Sequence, residues 1–353
     1  MWLLWGWAAC SPRPAADLVT VDPARSEIAG AGVLFTAFET GGDGFALLVD
    51  GEGKTRWSYQ VAAPERVVRV KPDGAGGVWM GVQDAGHEEG VGRVLHQALD
   101  GTVRSETVAP TLHHDVVPLP DGQLAWLGHR FAEVEVPGHG VLPLATDQIR
   151  VGPPGGEAAV AFDYLDDYPV APYWTCGHMA LGEHLEGHNE WTHTNSLVPA
   201  PDGGWYLMPR YLDALVHLTP DFSVDWQLGG VGATVAAGEE PLFAHAHFSD
   251  AWADRVLVFD NGDPHGATPI ARVRELAIDP VAGTAEAVWT YDAPDGAEVT
   301  FLGDAKRLPG GNTLIAWGSE GRLTEVTPEG AIVWQLELDR PVGRAALWTD
   351  PLP

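Results

Sequence analysis

Lysine is nearly absent from this 353-residue chain: it occurs only at positions 54, 71 and 306, and arginine supplies the rest of the 20 cationic side chains. Against them stand 49 acidic side chains, a net charge of −29. A surface so short of positive charge repels nucleic acid and anionic membranes, which argues against both as partners. It also sets a condition, that any anionic substrate needs a locally positive pocket. Long apolar runs are missing too. Residues 1–9 are apolar, far short of the roughly 20 residues that span a bilayer. No long window carries a 3.6-residue hydrophobic period, so a helical domain is not expected. No G-x-S-x-G occurs, which removes the serine nucleophile elbow. The segment GEGKT (51–55) imitates the end of a phosphate loop, but Leu48 stands where the loop needs glycine, and a Trp-bearing strand follows instead of a helix. Cysteine is limited to Cys10 and Cys176.

The first of these cysteines closes the opening MWLLWGWAACSPRP. That stretch resembles a clipped signal peptide ending in a lipoprotein-type box, Trp7-Ala8-Ala9-Cys10, with a Pro-containing tether behind it. Trp7 replaces the usual leucine, and no Lys or Arg precedes the apolar stretch. The expectation is an exported, periplasmic or membrane-anchored bacterial lipoprotein with lipid on Cys10, residues 1–16 serving as leader and tether. Cys176 then has no partner and no disulfide forms.

What the chain does have is turns and aromatics: 43 Gly, 28 Pro and 15 Trp. They recur in phrases. VKPDGAGGVWMGV (70–82), VPLPDGQLAWLG (117–128), VPAPDGGWYLMP (198–209) and KRLPGGNTLIAWG (306–318) each place a Pro-x-Gly turn between two apolar runs, a hairpin signature. GEGKTRWSYQV (51–61), PDFSVDWQLGG (220–230), VAGTAEAVWTYDA (281–293) and PEGAIVWQLEL (328–338) each follow a turn with a Trp strand. Four antiparallel strands per unit, every 40 to 50 residues, predict an all-β, six-bladed β-propeller over 17–353. The blades fall at about 30–61, 66–108, 113–162, 193–230, 243–292 and 301–338, with Asp17–Val21 or the final RAALWTD (344–350) closing the ring. Residues 163–192 fit no blade and read as a lid-like insertion, rich in aromatics that include Trp174 and Trp191.

Inner strands of a propeller line a central channel, so residues just before them share one funnel. His114, His193 and His247 open the third, fourth and fifth blades. Arg210 follows the hairpin of the fourth and should return beside His193. Three histidines at one point of a repeat mark a shared site.

These residues resemble a known family. HHDVVPLPDG, EWTHTNSLVPAPDGGWYLMPR, AHFSDAWADRVLVFDNGD and GDAKRLPGGNTLIAWGSEGRLTEVTPEGAIVWQ look like the bacterial arylsulfate sulfotransferases over roughly residues 30–340. The resemblance implies a six-bladed propeller that moves a sulfuryl group from an aryl sulfate to a phenol without adenosine phosphosulfate, cofactor or metal. It implies that His247 is the nucleophile that becomes sulfated. His114, His193 and Arg210 would hold the sulfuryl oxygens and assist proton transfer. Asn195, His245, Trp174 and Trp191 are the candidate substrate contacts, although the family assigns His245 no role.

Two rival readings stay open. His245 and His247, two apart on a strand, could both face a zinc ion, with His184, His188, His193, Glu183, Glu186 or Glu190 nearby, giving a zinc-dependent hydrolase. A non-catalytic propeller that binds a ligand or a protein is the other. Asp260-Asn261-Gly262-Asp263 lacks the spacing of a calcium loop and reads as a turn after a strand.

Overall fold

The structure is a computed structural model that describes residues 16–39, 41–84, 90–168, 187–238, 241–263 and 270–353. The chain enters on β1 (Ala16–Val21) and then lays down β2 (Gly32–Phe38), β3 (Gly44–Asp50) and β4 (Thr55–Val61). The second blade is β5 (Glu65–Pro72), β6 (Gly77–Asp84), β7 (Val91–Ala98) and β8 (Val103–Pro110). The third is β9 (Leu112–Pro118), β10 (Leu124–Val136), β11 (Gly140–Gly152) and β12 (Ala159–Asp163), and the two-residue β13 (Asn189–Glu190) pairs in parallel with β11. The fourth is β14 (Thr194–Pro199), β15 (Trp205–Pro209), β16 (Ala214–Leu218) and β17 (Val224–Gly229). The fifth is β18 (His247–Trp252), β19 (Arg255–Asp260), β20 (Arg272–Asp279) and β21 (Thr284–Asp292). The sixth is β22 (Asp304–Arg307), β23 (Thr313–Ala316), β24 (Arg322–Val326) and β25 (Ile332–Leu338). Finally β26 (Val342–Trp348) pairs with β2 as the innermost strand of the first blade. The architecture is a six-bladed β-propeller of antiparallel sheets.

Sequence pattern becomes blade through alternation. On β2, Val33 and Phe35 enter the cluster shared with the sixth blade, while Leu34 between them enters the cluster shared with the second. Each of six apolar clusters lies between neighbouring blades. The Pro-Asp-Gly turns are closed by their own aspartates: Asp121 Oδ1 accepts from the Gln123 N–H at 3.0 Å, and Asp202 Oδ1 from the Gly204 N–H at 2.9 Å. Gly122 and Gly203 follow at φ 84° and 90°, where a side chain would be strained. The Trp strands tie blades together. Trp289 Nε1 donates to the Pro328 carbonyl at 2.9 Å, and Trp334 Nε1 to the Gly51 carbonyl at 2.9 Å.

Two expectations change. The two candidate closing strands are both used, in different blades: β26 closes the first on the inside, and β1 adds a fifth strand to the outer edge of the sixth. The 163–192 segment is not wholly outside the blades. Its described ends are scaffold, because Tyr164, Tyr168 and Trp191 are buried in the cluster between the third and fourth blades. Asp163 caps the short helix Tyr164–Asp167, its carboxylate accepting from the Leu165 N–H at 2.9 Å. Trp174, His184, Glu183 and Glu186 lie outside the described residues.

Candidate active site

The inner strands start with a kink. In β9 the pairing slips between Val116 and His113, so His114 and Asp115 form a bulge. His114 takes φ 50° and His193, just before β14, takes φ 49°. Each left-handed residue costs roughly 1–2 kcal/mol, and in both the turn swings an imidazole into the funnel. His247 reaches it differently, as the first residue of β18, paired with Phe259. The three histidines therefore converge from three local positions. His114 and His193 have ring centroids 4.8 Å apart, and both line one cavity of about 390 Å³ with His247, Arg210 and Arg344.

Arg210 is placed by backbone. Its N–H donates to the His193 carbonyl at 3.0 Å where the hairpin returns, and its guanidinium donates to the Thr300 carbonyl at 3.3 Å. Arg344 comes from β26. It faces Asp304 at 3.3 Å and donates to the Asn195 carbonyl. With Arg66, three arginines line the cavity beside a single carboxylate, Glu190, among the described residues. The locally positive pocket that an acidic protein would need for an anion is therefore present. Its apolar wall is Phe38, Phe301 and Tyr211. Phe38 and Phe301 have centroids 6.3 Å apart, and Arg66 lies over Phe38 at 5.1 Å.

His247 is 3 % exposed and its protonation is dictated by a neighbour. The side-chain amide of Asn261 donates to the carbonyls of Val299 at 2.9 Å and Leu302 at 2.8 Å. Its orientation is thus fixed, and Oδ1 is left to meet His247 Nδ1 at 2.7 Å. That oxygen only accepts, so His247 carries its proton on Nδ1 and keeps a lone pair on Nε2. Burial first, then the charges of Arg210 and Arg344, hold the His247 pKa well below the usual imidazole range. The ring is neutral at pH 7. His114 is held down in the same direction by burial and by the surrounding His193, His113 and His247. Glu190 faces His193 Nδ1 at 2.9 Å. Burial alone would raise the Glu190 pKa, but the His193 contact outweighs it and the carboxyl stays ionised.

The other candidates sit elsewhere. Asn195 is fully buried, donates to the Ala246 carbonyl at 3.0 Å, and supports Arg344 through its own carbonyl; it does not line the cavity. Trp191 is fully buried between blades and not against the cavity, so as a substrate contact it is corrected to core. His245 has φ 48° and lies before β18, so the pleat that would align it with His247 has not begun. It is buried outside the cavity lining, with its N–H on Asp213 Oδ1 at 2.7 Å. Among the described residues the group of three that could hold a metal ion is His113, His129 and Asp147, and neither His245 nor His247 belongs to it. Cys10 lies outside the described residues. The sequence reading left out Arg344, which sat inside a phrase taken only as a closing strand. It also left out Asn261, read as part of a turn, and the aromatic pair Phe38 and Phe301, which no repeat marks.

No curated protein matches this chain. Among solved structures it is similar to a protein of unknown function from Bacteroides caccae, at 14 % identity and TM-score 0.51, covering 91 % of this chain and 100 % of that one. A catalytically inactive virginiamycin B lyase from Staphylococcus aureus with quinupristin overlays more loosely, at 8 % identity and TM-score 0.47, covering 96 % and 100 %. At such identities the first likeness speaks for the fold alone, and the second adds nothing to it. The family comparison reaches further: residues 19–338 match the profile described as Arylsulfotransferase (ASST), a span that contains every residue lining the cavity except Gly343 and Arg344, and the chain belongs to that family.

Proposed function

We propose that the protein transfers a sulfuryl group from an aryl sulfate to a phenol through a sulfated His247, without adenosine phosphosulfate. The observation that carries this reading is the Asn261–His247 contact of 2.7 Å, which leaves a neutral ring with a bare Nε2 among Arg210, Arg344 and His193. Sulfuryl transfer resembles phosphoryl transfer: the transition state is loose, and negative charge gathers on the leaving and equatorial oxygens. A neutral nucleophile and fixed cations are what such a step needs. In the donor half-reaction, His247 Nε2 bonds to sulfur as the S–O bond to the aryl oxygen breaks, and the aryl oxygen leaves with the bond pair as phenolate. In the second half-reaction a phenol oxygen bonds to sulfur, its proton passes to a cavity histidine, and the S–N bond returns its pair to Nε2. Phe38, Phe301 and Tyr211 give the aryl ring an apolar wall. We further propose export and lipid attachment at Cys10.

The test uses p-nitrophenyl sulfate as donor and phenol as acceptor. The expected result is ping-pong kinetics, sulfate on His247 in peptide mapping, and loss of both half-reactions in His247→Asn. Sulfate on another histidine would move the nucleophile. Binding without transfer would leave a ligand-binding propeller. Inactivation by a chelator with rescue by zinc would give the site to metal chemistry.

A further inference from the structure

Behind His114 lies a row of buried groups that the proposed reaction leaves without a task. His113 is 0 % exposed, and its Nδ1 meets His114 Nδ1 at 2.7 Å. Its other nitrogen, Nε2, faces Asp147 Oδ1 at 3.2 Å. Asp147 is 1 % exposed and is pinned by its second oxygen, which accepts from Thr192 Oγ1 at 2.8 Å and from the Thr194 N–H at 2.5 Å. His129, the cross-strand partner of Asp147, faces the same Oδ1 at 3.3 Å.

His113, His129 and Asp147 come close enough to suggest a metal site. The rings argue otherwise. His113 and His129 stack with centroids 3.8 Å apart and planes 6° from parallel. An ion bound to both would sit far out of each ring plane, whereas an imidazole lone pair lies in the plane.

Proton counting points to another use. Two nitrogens 2.7 Å apart share one proton between them. The carboxylate of Asp147, an acceptor only, lies 3.2 Å from His113 Nε2 without the alignment of a hydrogen bond, and its charge favours the His113 proton on that nitrogen. Burial and the neighbouring His129 lower the His113 pKa to about 4, so the ring is neutral and that is its only proton. Its Nδ1 is then an acceptor, and the shared proton belongs to His114 Nδ1. His114, also neutral, is left with a bare Nε2.

Resting on the sulfotransfer reading, we propose that Asp147 and His113 are positioning residues of a buried relay that presents His114 as the base for the phenolic oxygen. When the acceptor attacks sulfur, its O–H proton passes to His114 Nε2 while the S–N bond to His247 breaks. The imidazolium so formed can pass its Nδ1 proton to His113, which then forms an ion pair with Asp147. The proton is then released to solvent, which restores the neutral relay before the next donor binds, and the donor's aryl oxygen leaves as phenolate. His193 is backed differently. Its Nδ1 faces the carboxylate of Glu190 directly at 2.9 Å, a contact that orients the ring for the sulfuryl oxygens. The two histidines, 4.8 Å apart, thereby divide the work.

The test has a spectroscopic and a kinetic part. In nitrogen-15 histidine spectra, the His114 signals are assigned by their loss in His114→Asn. Wild-type His114 should show a protonated Nδ1 and a bare Nε2. The opposite tautomer overturns the relay, whether or not the protein transfers sulfate. In His113→Phe and Asp147→Asn, turnover should fall about 10²-fold with weakly acidic phenols as acceptors. With acidic nitrophenols, already ionised, the loss should shrink to a few-fold. An equal loss with every acceptor would make both residues mere scaffold and overturn the proposal. So would stoichiometric zinc in the purified protein that disappears in His113→Phe. Asp147 also anchors Thr192 and Thr194, so if Asp147→Asn does not fold, His113→Phe and the wild-type spectrum still decide.

Discussion

The pH dependence of the nucleophile follows from its surroundings. Burial and two arginines hold the His247 pKa well below its ordinary 6.5, and the same direction applies to His114. Both groups must be neutral to act, so the acid limb of kcat/KM should lie below pH 6.5. Removing a positive neighbour raises an imidazole pKa. Arg210→Ala should therefore move the limb upward while turnover falls about 10²–10³-fold, less with donors whose phenols leave more readily. A wild-type limb at or above 6.5 would contradict the neutral, bare Nε2. Linkage runs the same way. His113 is depressed from 6.5 to about 4, so the unfolded chain binds the extra proton first, and stability should decline as pH falls through that interval. Much of this was legible in residue order. His114, His193, Arg210 and His247 could be placed by the repeat and are brought together around one cavity. Asn261 and Arg344 could not be, because their roles depend on hydrogen bonds to Val299 and Leu302, in the link to the next blade, and to Asn195, across the ring.

Strand patterns resolve better than the segments between them, for a physical reason. A strand's face is written in alternate residues and checked by its partner, whereas an aromatic in an irregular segment can face core or solvent with the same neighbours in sequence. Trp191 shows the difference. It stands four residues before the Asn195-Ser196-Leu197 phrase and looks like part of a lid, yet β13 holds its segment along β11, and the Trp191 N–H donates to the Ala145 carbonyl at 2.8 Å. The indole is fully buried beside Leu197, Leu212 and Ala214. Trp191→Ala should cost about 3–5 kcal/mol of stability while leaving KM for an aryl sulfate unchanged well below the new melting temperature. A raised KM with unaltered melting would return Trp191 to the substrate. The hairpin of β10 and β11, 13 residues on each side, was equally unreadable as a whole. Its far half exchanges continuous burial for partial exposure, and the hairpin carries His129 and Asp147 on paired positions that only the register reveals.

At the scale of the whole molecule, charge and closure act together. Two of the three lysines are turned toward acids near the channel: Lys71 faces Asp115 at 3.5 Å and Lys306 faces Asp250 at 3.4 Å. That leaves the outer surface still more acidic and concentrates attraction for anions in the arginine-lined cavity. The ring that holds this cavity is closed from both ends of the described chain, but the two closures differ in weight. β26 contributes Trp348, fully buried, to the cluster between the first two blades, and it delivers Arg344 to the site. β1 only extends the outer edge of the sixth blade. Removing residues 342–353 should expose the edge of β2, empty part of a core and abolish both soluble yield and sulfotransfer. Removing residues 1–21 should lower the melting temperature modestly and leave turnover intact, because no cavity residue is lost. The same logic separates anchoring from folding. From Cys10 to the start of β1 at Ala16, six residue steps reach no further than about 20 Å, so a lipid on Cys10 would hold the outer edge of the sixth blade close to a membrane. Cys10→Ala should then shift the full-length protein from the membrane fraction to the soluble fraction with its turnover and melting temperature unchanged. A wild-type protein already soluble after expression with its export signal intact would refute the anchor without touching the chemistry in the funnel.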